Sequence, residues 1–131
     1  MNTYSAIIIT LLIFHWLFDF VIQTEQQGMN KSKDITALFS HVQEYSIGMF
    51  IWCFLFLYSA NITLYASLNI GLCFWIITFI CHFITDYITS KITSNRYKNQ
   101  KFYGWNGFWC WIGLDQILHI AQLLLTFYIL V

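Results

Sequence analysis

Residues Leu64 to Ser90 read LYASLNIGLCFWIITFICHFITDYITS and predict the architecture of the whole chain. This stretch contains no Lys, Arg or Pro, and it is longer than the roughly 20 apolar residues that a helix needs to cross a bilayer. Three other stretches of the chain have the same apolar character. We therefore predict an all-α polytopic membrane protein, a bundle of four transmembrane helices at about residues 4–23, 37–59, 64–90 and 105–131.

The composition excludes several classes of protein. Of the 131 residues, 59% are hydrophobic and 9% are charged, whereas an average soluble domain is about 25% charged. So few charges could not cover the surface of a soluble domain, and we expect a lipid bilayer as the main partner. The six Lys and Arg residues leave no electrostatic footprint for a nucleic acid. We predict a single transmembrane domain over residues 1–131, and a homo-oligomer stays open.

Basic residues lie only in two predicted links between helices, and this sets the predicted orientation. The positive-inside rule places loops rich in Lys and Arg in the cytoplasm. Both links should therefore face the cytoplasm and both termini should lie outside, with the chain in the inner membrane of a cell. The first link contains Lys31 and Lys33, and the second contains Lys91, Arg96, Lys98 and Lys101.

Each predicted helix carries one histidine and one carboxylate, separated by three or four residues. This spacing puts both side chains on one face of a helix. An ionisable group at the centre of a bilayer costs at least about 2.5 to 3.5 kcal/mol, so such groups are usually functional. The pairs are His15 with Asp19, His41 with Glu44, His82 with Asp86, and His119 with Asp115.

The four pairs also agree in depth. Because the helices alternate in direction, residues late in the first and third helices lie level with residues early in the second and fourth. At 1.5 Å per residue, the pairs fall within roughly 6 to 15 Å of the cytoplasmic ends of their helices. A random scatter of polar residues would not agree in this way, so we predict one cavity near the cytoplasmic face.

A divalent metal site is the predicted role of this cavity. Imidazole nitrogens and carboxylate oxygens are ligands for Zn²⁺, Mn²⁺ and Fe²⁺. Four ionised carboxylates would place about four negative charges in a low-dielectric pocket, and two divalent ions would offset them. We therefore predict one or two bound ions. The eight paired residues are the predicted ligands or their direct supports. Gln23 and Gln116 are expected to orient water or ligands. For Lys33 a snorkelling or solvated side chain is favoured, and the alternative is that it reaches into the cavity as an anion-binding group.

The segments that carry these residues resemble a known family. HWLFDFVIQ (residues 15–23), HFITD (82–86) and DQILH (115–119), with Lys33 ahead of His41, resemble the small bacterial and phage integral membrane proteins of domain of unknown function 3307. The resemblance covers most of the chain and implies four membrane helices and no established activity. The chain is also distantly similar to membrane-bound metal-dependent hydrolases, and this likeness is an analogy.

Metal-assisted hydrolysis of a phosphate or acyl ester is the predicted reaction, with a lipid or another membrane-proximal molecule as substrate. A bound metal would lower the pKa of its water and stabilise the developing oxyanion. Three alternatives stay open: a metal-ion or proton transporter or channel, an accessory protein that binds another membrane protein, and pairs that only join the helices by hydrogen bonds. The outer halves, such as residues 6–12 and 50–57, are nearly all apolar, which favours a site open on one side.

Overall fold

The computed structural model describes residues 3–131, and the first two residues of the predicted domain lie outside this range. Among the described residues every regular element is a helix, which confirms the all-α prediction. A π-helical turn follows the first helix directly and is called the π turn below. The elements are α1 (Thr3–Trp16), the π turn (Leu17–Val21), α2 (Glu25–Asn30), α3 (Ile35–Ser59), α4 (Leu64–Lys98) and α5 (Phe108–Leu130).

The helix boundaries differ from the prediction at three points. The predicted first link contains α2, which begins at a reciprocal cap in which Thr24 and Gln27 each bind the other's backbone N–H. Helix α4 continues eight residues past its predicted end at residue 90, to Lys98, because no Gly or Pro interrupts it there. Helix α5 begins at Phe108 instead of residue 105, after two glycines in the preceding turn.

Helices α3 and α4 form an antiparallel hairpin. Only residues 60–63 separate them, and Asn61 takes the left-handed backbone conformation, with φ at 63°, that a tight turn needs. The Asp34 carboxylate caps α3 by accepting a hydrogen bond of 2.8 Å from the Thr36 N–H. The Thr63 hydroxyl caps α4 by accepting one of 3.3 Å from the Ala66 N–H. These caps fix the ends of the two helices that provide most of the interior.

Three helical segments within residues 3–131 are long and apolar enough to cross a membrane, which suggests a membrane protein. The second predicted span, at about residues 37–59, corresponds to α3 and is not among them. Helix α3 has 25 residues, but its first half carries His41, Gln43 and Glu44. The three segments are Tyr4–Val21, Leu64–Lys98 and Phe108–Leu130.

Polar and apolar side chains are distributed in reverse of the pattern in a soluble protein. Large aliphatic side chains point outward: Ile13, Ile84 and Ile117 are each more than half exposed. Histidines and aspartates point inward, and His82 and Asp86 are at most 1% exposed. This arrangement is the one expected for helices that face lipid outside and enclose a polar site.

An apolar core fills the half of the bundle that lies toward the α3–α4 turn. Its aromatic rings pack tightly, with the Trp52 and Phe127 ring centres 5.2 Å apart. The Trp52 indole N–H donates a hydrogen bond of 3.0 Å to the Thr10 hydroxyl and so leaves no unpaired donor there. The polar residues therefore gather in the opposite half. The core consists of Leu11, Tyr45, Met49, Trp52, Cys53, Leu57, Phe74, Leu123 and Phe127.

Candidate metal site

Six of the eight residues predicted as ligands meet in one buried cluster, which we call the ligand cluster. They come from four elements: the π turn, α3, α4 and α5. Each side chain belongs to at least one group of three whose ligating atoms all lie within 4.8 Å of one another. None of the six is more than 8% exposed. The ligand cluster consists of Asp19, His41, His82, Asp86, Asp115 and His119.

Two imidazole nitrogens and two carboxylate oxygens lie close together at the centre of this cluster. His41 Nε2 lies 3.2 Å from Asp19 Oδ1, 3.3 Å from Asp86 Oδ2 and 3.3 Å from His82 Nε2. His82 Nε2 lies 3.7 Å from Asp19 Oδ1 and 3.6 Å from Asp86 Oδ2. Ligand atoms about 2.0 to 2.1 Å from one tetrahedral ion are separated by about 3.3 to 3.4 Å. The distances among His41, His82 and Asp19 are close to this value, and these three residues form one of the groups that could hold a single ion. Asp86 lies beside His41 and His82 at similar distances.

Hydrogen bonds satisfy Asp86 Oδ2, which accepts from Lys31, but they do not satisfy all of these four atoms. The Nε2 atoms of His41 and His82 face each other, so one hydrogen bond can join them, with one nitrogen as the donor and the other as the acceptor. Asp19 Oδ1 is buried, and no hydrogen bond of acceptable geometry reaches it although His41 Nε2 is 3.2 Å away. A buried carboxylate oxygen without a donor is costly, and a cation at the centre of the four atoms would remove that cost.

His119 and Asp115 flank these four atoms on the α5 side. His119 Nε2 lies 3.2 Å from Asp86 Oδ1 and 3.4 Å from Asp115 Oδ1. The two oxygens of Asp86 therefore face different histidines, Oδ2 toward His41 and His82 and Oδ1 toward His119. The Thr89 hydroxyl donates a hydrogen bond to Asp115 Oδ1 and holds that carboxylate in place.

Lys31 adds one positive charge at the edge of the cluster. Its Nζ lies 2.8 Å from Asp86 Oδ2. Burial lowers the pKa of Lys31, but the carboxylates of Asp86 and Asp19 outweigh that effect, and its pKa is raised above the ordinary value. With the imidazoles neutral, as metal ligands have to be, three carboxylates and one ammonium leave two negative charges among the described groups. One divalent cation would neutralise them.

Gln116 links the cluster to His15 and Tyr45. Its amide nitrogen donates to Asp19 Oδ2 at 3.1 Å and to Asp115 Oδ2 at 3.0 Å, and this turns its carbonyl oxygen toward His15. His15 Nε2, 2.9 Å from that oxygen, must then be a donor. His15 Nδ1 in turn accepts a hydrogen bond of 2.7 Å from the Tyr45 hydroxyl. His15, predicted as a ligand, is therefore outside the ligand cluster and is connected to it through Gln116.

Glu44 lies outside the cluster although the sequence predicts it as the partner of His41. Its side chain is exposed and accepts a hydrogen bond of 3.3 Å from the Ser40 hydroxyl. The buried face of α3 is centred on the side of Leu38, Val42 and Tyr45, with His41 toward one edge of it. Glu44 lies beyond that edge, so the rotation of α3 about its axis leaves this carboxylate outside the interior.

The lysine that contacts the cluster was not among the predicted supporting residues. Lys31 makes the contact with Asp86, whereas Lys33 is exposed and lines the cavity described below. Gln23 lines the cavity described below, and its buried Oε1 has no hydrogen-bond partner. The prediction missed Lys31 because both lysines lie in one polar link and nothing in their spacing distinguishes them. Tyr45 could have been found, since it follows His41 by four residues.

Stacked rings hold His82 in place. One side of the imidazole faces the Tyr45 ring, with centres 3.9 Å apart, and the other faces the His119 ring, with centres 4.0 Å apart. The three rings are close to parallel, at 29° and 10°. His82 is therefore fixed before any ligand binds, which favours a rigid site.

The π turn sets the position of Asp19. The Ile22 N–H bonds to the Leu17 carbonyl at 2.9 Å, five residues back, and the wider turn shifts the side chains that follow α1. Helix α3 approaches this turn at Gly48, where an added Cβ atom would lie 2.4 Å from the Phe18 ring. A single π-helical turn inside a longer helix is frequent at functional sites.

A cavity of about 570 Å³ leads away from the cluster toward the residues of the two basic links. Asp19, Asp115 and Gln116 form part of its lining, so it connects directly with the site. One part of the remaining wall is apolar and the other is polar or basic. The apolar lining includes Phe20, Met29, Phe108 and Ile112, and the polar lining includes Gln23, Lys31, Lys33, Ser90, Thr93, Ser94 and Lys98.

Comparison with known proteins identifies the family. The model of the family described as "Protein of unknown function (DUF3307)" matches residues 7–131. The chain belongs to this family. The match includes every residue of the ligand cluster and confirms the resemblance to this family, while the bacterial or phage origin and the likeness to hydrolases stay predictions. No curated protein and no solved structure matches the chain.

Proposed function

We propose that this chain is a membrane-embedded enzyme that binds one divalent metal ion and hydrolyses an ester of a membrane-proximal substrate. The observation that carries the proposal is the set of five distances, 3.2 to 3.7 Å, among His41, His82, Asp19 and Asp86. Zn²⁺, Mn²⁺ and Fe²⁺ all accept such a set of two imidazoles and two carboxylates. The residual charge of the cluster supports one ion and not two.

A bundle of four transmembrane helices is part of this proposal, with α3 as the fourth span. Helix α3 turns His41 and Tyr45 toward the interior, and its length of 25 residues is sufficient for a membrane. The basic residues lie in the first link and from Lys91 onward, so the positive-inside rule supports a site near the cytoplasmic face of the inner membrane. Both termini are then outside.

The side chains around the proposed ion suit hydrolysis. A bound divalent ion would lower the pKa of a water molecule and stabilise negative charge on the substrate. Asp115 lines the cavity and lies 3.4 Å from His119, so the two can take up a proton from attacking water and return it to the leaving oxygen. Gln116 holds the carboxylates of Asp19 and Asp115 in fixed positions during this exchange.

The apolar core supports an enzyme over a transporter. Leu11, Met49 and Phe74 are fully buried in the half of the bundle opposite the cavity. A permeation path would need polar groups along the whole depth of the bilayer. The closed half therefore favours a site that is open on one side.

The test is to load detergent-solubilised protein with Zn²⁺, Mn²⁺ or Fe²⁺, remove excess ion and measure metal by mass spectrometry. We expect about one equivalent in the natural chain and in the Glu44→Gln control, and much less in His82→Gln and Asp19→Asn. Hydrolysis of p-nitrophenyl phosphate and p-nitrophenyl butyrate is measured in parallel. Metal content equal to a detergent blank would overturn the metal site. Bound metal without metal-dependent hydrolysis of either ester would overturn the enzyme assignment.

A further inference from the structure

The cavity beside the ligand cluster carries the further inference, which rests on the proposed function and names its substrate class. Lys31, Asp19, Asp115 and Gln116 belong both to the cavity lining and to the cluster or its contacts. A molecule in the cavity therefore touches the groups that surround the proposed ion. A volume of about 570 Å³ is within the range of pockets that bind small molecules or head groups.

The charge of the cavity favours an anion with two negative charges. With one divalent ion present, the three cluster carboxylates and Lys31 sum to zero. The remaining charged side chains in the described lining are Lys33 and Lys98, and no further carboxylate lines it. The loaded cavity would then carry two positive charges, which match a phosphate monoester dianion.

Two buried polar groups in the lining lack partners. The Ser90 hydroxyl is buried, with the residue 7% exposed, and it has no hydrogen-bond partner among the described groups. Gln23 Oε1 is also buried without a hydrogen-bond partner. The amide nitrogen of Gln23 is a further potential donor. Both residues line the cavity. Buried polar atoms without partners are rare, and a ligand with several oxygens would satisfy them.

The apolar wall favours a ligand with a hydrocarbon chain. Phe20 and Met29 line the cavity and are 47% and 66% exposed. Phe108 and Ile112, at the start of α5, line it as well. These side chains offer an apolar chain a surface to pack against. A soluble phosphate ester would leave this wall uncovered.

We propose that the substrate is a lipid with a terminal phosphate monoester, bound with its phosphate toward the ligand cluster and its chain along the Phe20 and Met29 wall. Water attacks the phosphorus, the bond from phosphorus to the ester oxygen breaks, and the products are inorganic phosphate and a lipid alcohol. The proton that leaves the water returns to the alcohol oxygen, so the reaction balances without an oxidant or reductant.

The experiment uses the metal-loaded full chain in phosphatidylcholine nanodiscs that contain phosphatidic acid, and it measures release of phosphate and of diacylglycerol. Glycerol 3-phosphate is the soluble arm, and phosphatidylglycerol, a diester, is the negative arm. We expect phosphatidic acid to be hydrolysed with a kcat/KM at least about 10-fold above that of glycerol 3-phosphate. Phosphatidylglycerol should release no phosphate.

Lysine variants test the proposed binding mode. The double variant Lys33→Gln/Lys98→Gln should raise KM for phosphatidic acid about 10-fold or more, with kcat within twofold and metal content unchanged. Lys101→Gln is the matched control, since Lys101 belongs to the same basic link and does not line the cavity. An unchanged KM in the double variant would overturn the assigned binding mode.

The outcomes separate this inference from the proposed function. Bound metal without phosphate release from either monoester overturns the substrate class and leaves the metal site intact. Equal hydrolysis of both monoesters overturns the lipid part of the inference and identifies a soluble phosphate as substrate. A protein that takes up no metal overturns the proposed function itself.

Discussion

The two halves of this bundle are built from the same helices and pack opposite kinds of side chain. Toward the α3–α4 turn, Trp52, Phe74 and Phe127 form a dry aromatic core. Toward the basic links, three carboxylates, three imidazoles and one ammonium group share a small buried volume. The apolar half gains from close packing, whereas the polar half has to offset the desolvation of its charges.

This difference predicts a division of roles, in which the apolar half stabilises the fold and the polar half binds the metal ion of the proposed function. Natural proteins place costly, strained or charged groups where activity needs them and stabilise the fold elsewhere. We therefore expect substitutions in the apolar half to change stability with little effect on metal binding. Substitutions in the polar half should do the reverse. Four predictions test this division, beginning with the largest expected effect.

Trp52→Ala should lower the free energy of unfolding by about 3 to 5 kcal/mol, because it leaves a large void among packed rings. Trp52 also loses its hydrogen bond to the Thr10 hydroxyl. Unfolding by denaturing detergent measures the change. Metal per folded molecule should stay the same. Ile51→Ala is the control on the same helix, since Ile51 is 40% exposed and its removal should have a much smaller effect on unfolding.

Asp86→Asn should weaken metal binding by at least about 100-fold, a larger loss than the 10-fold to 100-fold typical of groups that only orient ligands. The substitution keeps the size of the side chain but removes the charge that faces His41, His119 and Lys31. Competition with a fluorescent zinc chelator measures the affinity. Glu44→Gln removes a carboxylate outside the cluster and should bind as the natural chain does. Equal affinity in both variants would show that the cluster is structural.

Gly48→Ala should destabilise the fold by about 1 to 3 kcal/mol, because the new methyl group would lie 2.4 Å from the Phe18 ring. Displacement of Phe18 would also move Asp19 in the π turn, so metal affinity should fall together with stability. Gly113→Ala is the matched control: the methyl group meets nothing within 4 Å, and alanine favours the helix. Thermal melting in detergent and metal titration measure the two effects.

Gln116→Leu should reduce metal affinity by about 10-fold with little change in the fold, because it removes two hydrogen bonds to carboxylates in the cluster. Gln122→Leu is the matched control on the same helix. Gln122 binds the hydroxyls of Thr78 and Thr126 instead. If both variants lost affinity equally, the boundary between the two halves would lie nearer the α3–α4 turn than we have drawn it.

Much of this protein was predictable from the sequence, since local helical geometry dictates it. Apolar stretches long enough to cross a bilayer predicted helices close to the observed ones. The pairs His82 with Asp86 and Asp115 with His119 have a spacing of four residues in regular helices, and all four side chains point into the cluster. The helical repeat fixes the face on which such a pair lies, whatever the tertiary contacts are.

The rest was decided by how the helices pack against one another. The rotation of α3 about its axis turned His41 and Tyr45 inward and left Glu44 outside. The π turn places Asp19 in the ligand cluster, whereas His15 lies outside the cluster and contacts Gln116. Neither rotation nor a local change in helical pitch is encoded in residue spacing, because each depends on close contacts such as that between Gly48 and Phe18. The choice of Lys31 over Lys33 likewise depends on where the link folds back onto α4, and only the three-dimensional structure decides it.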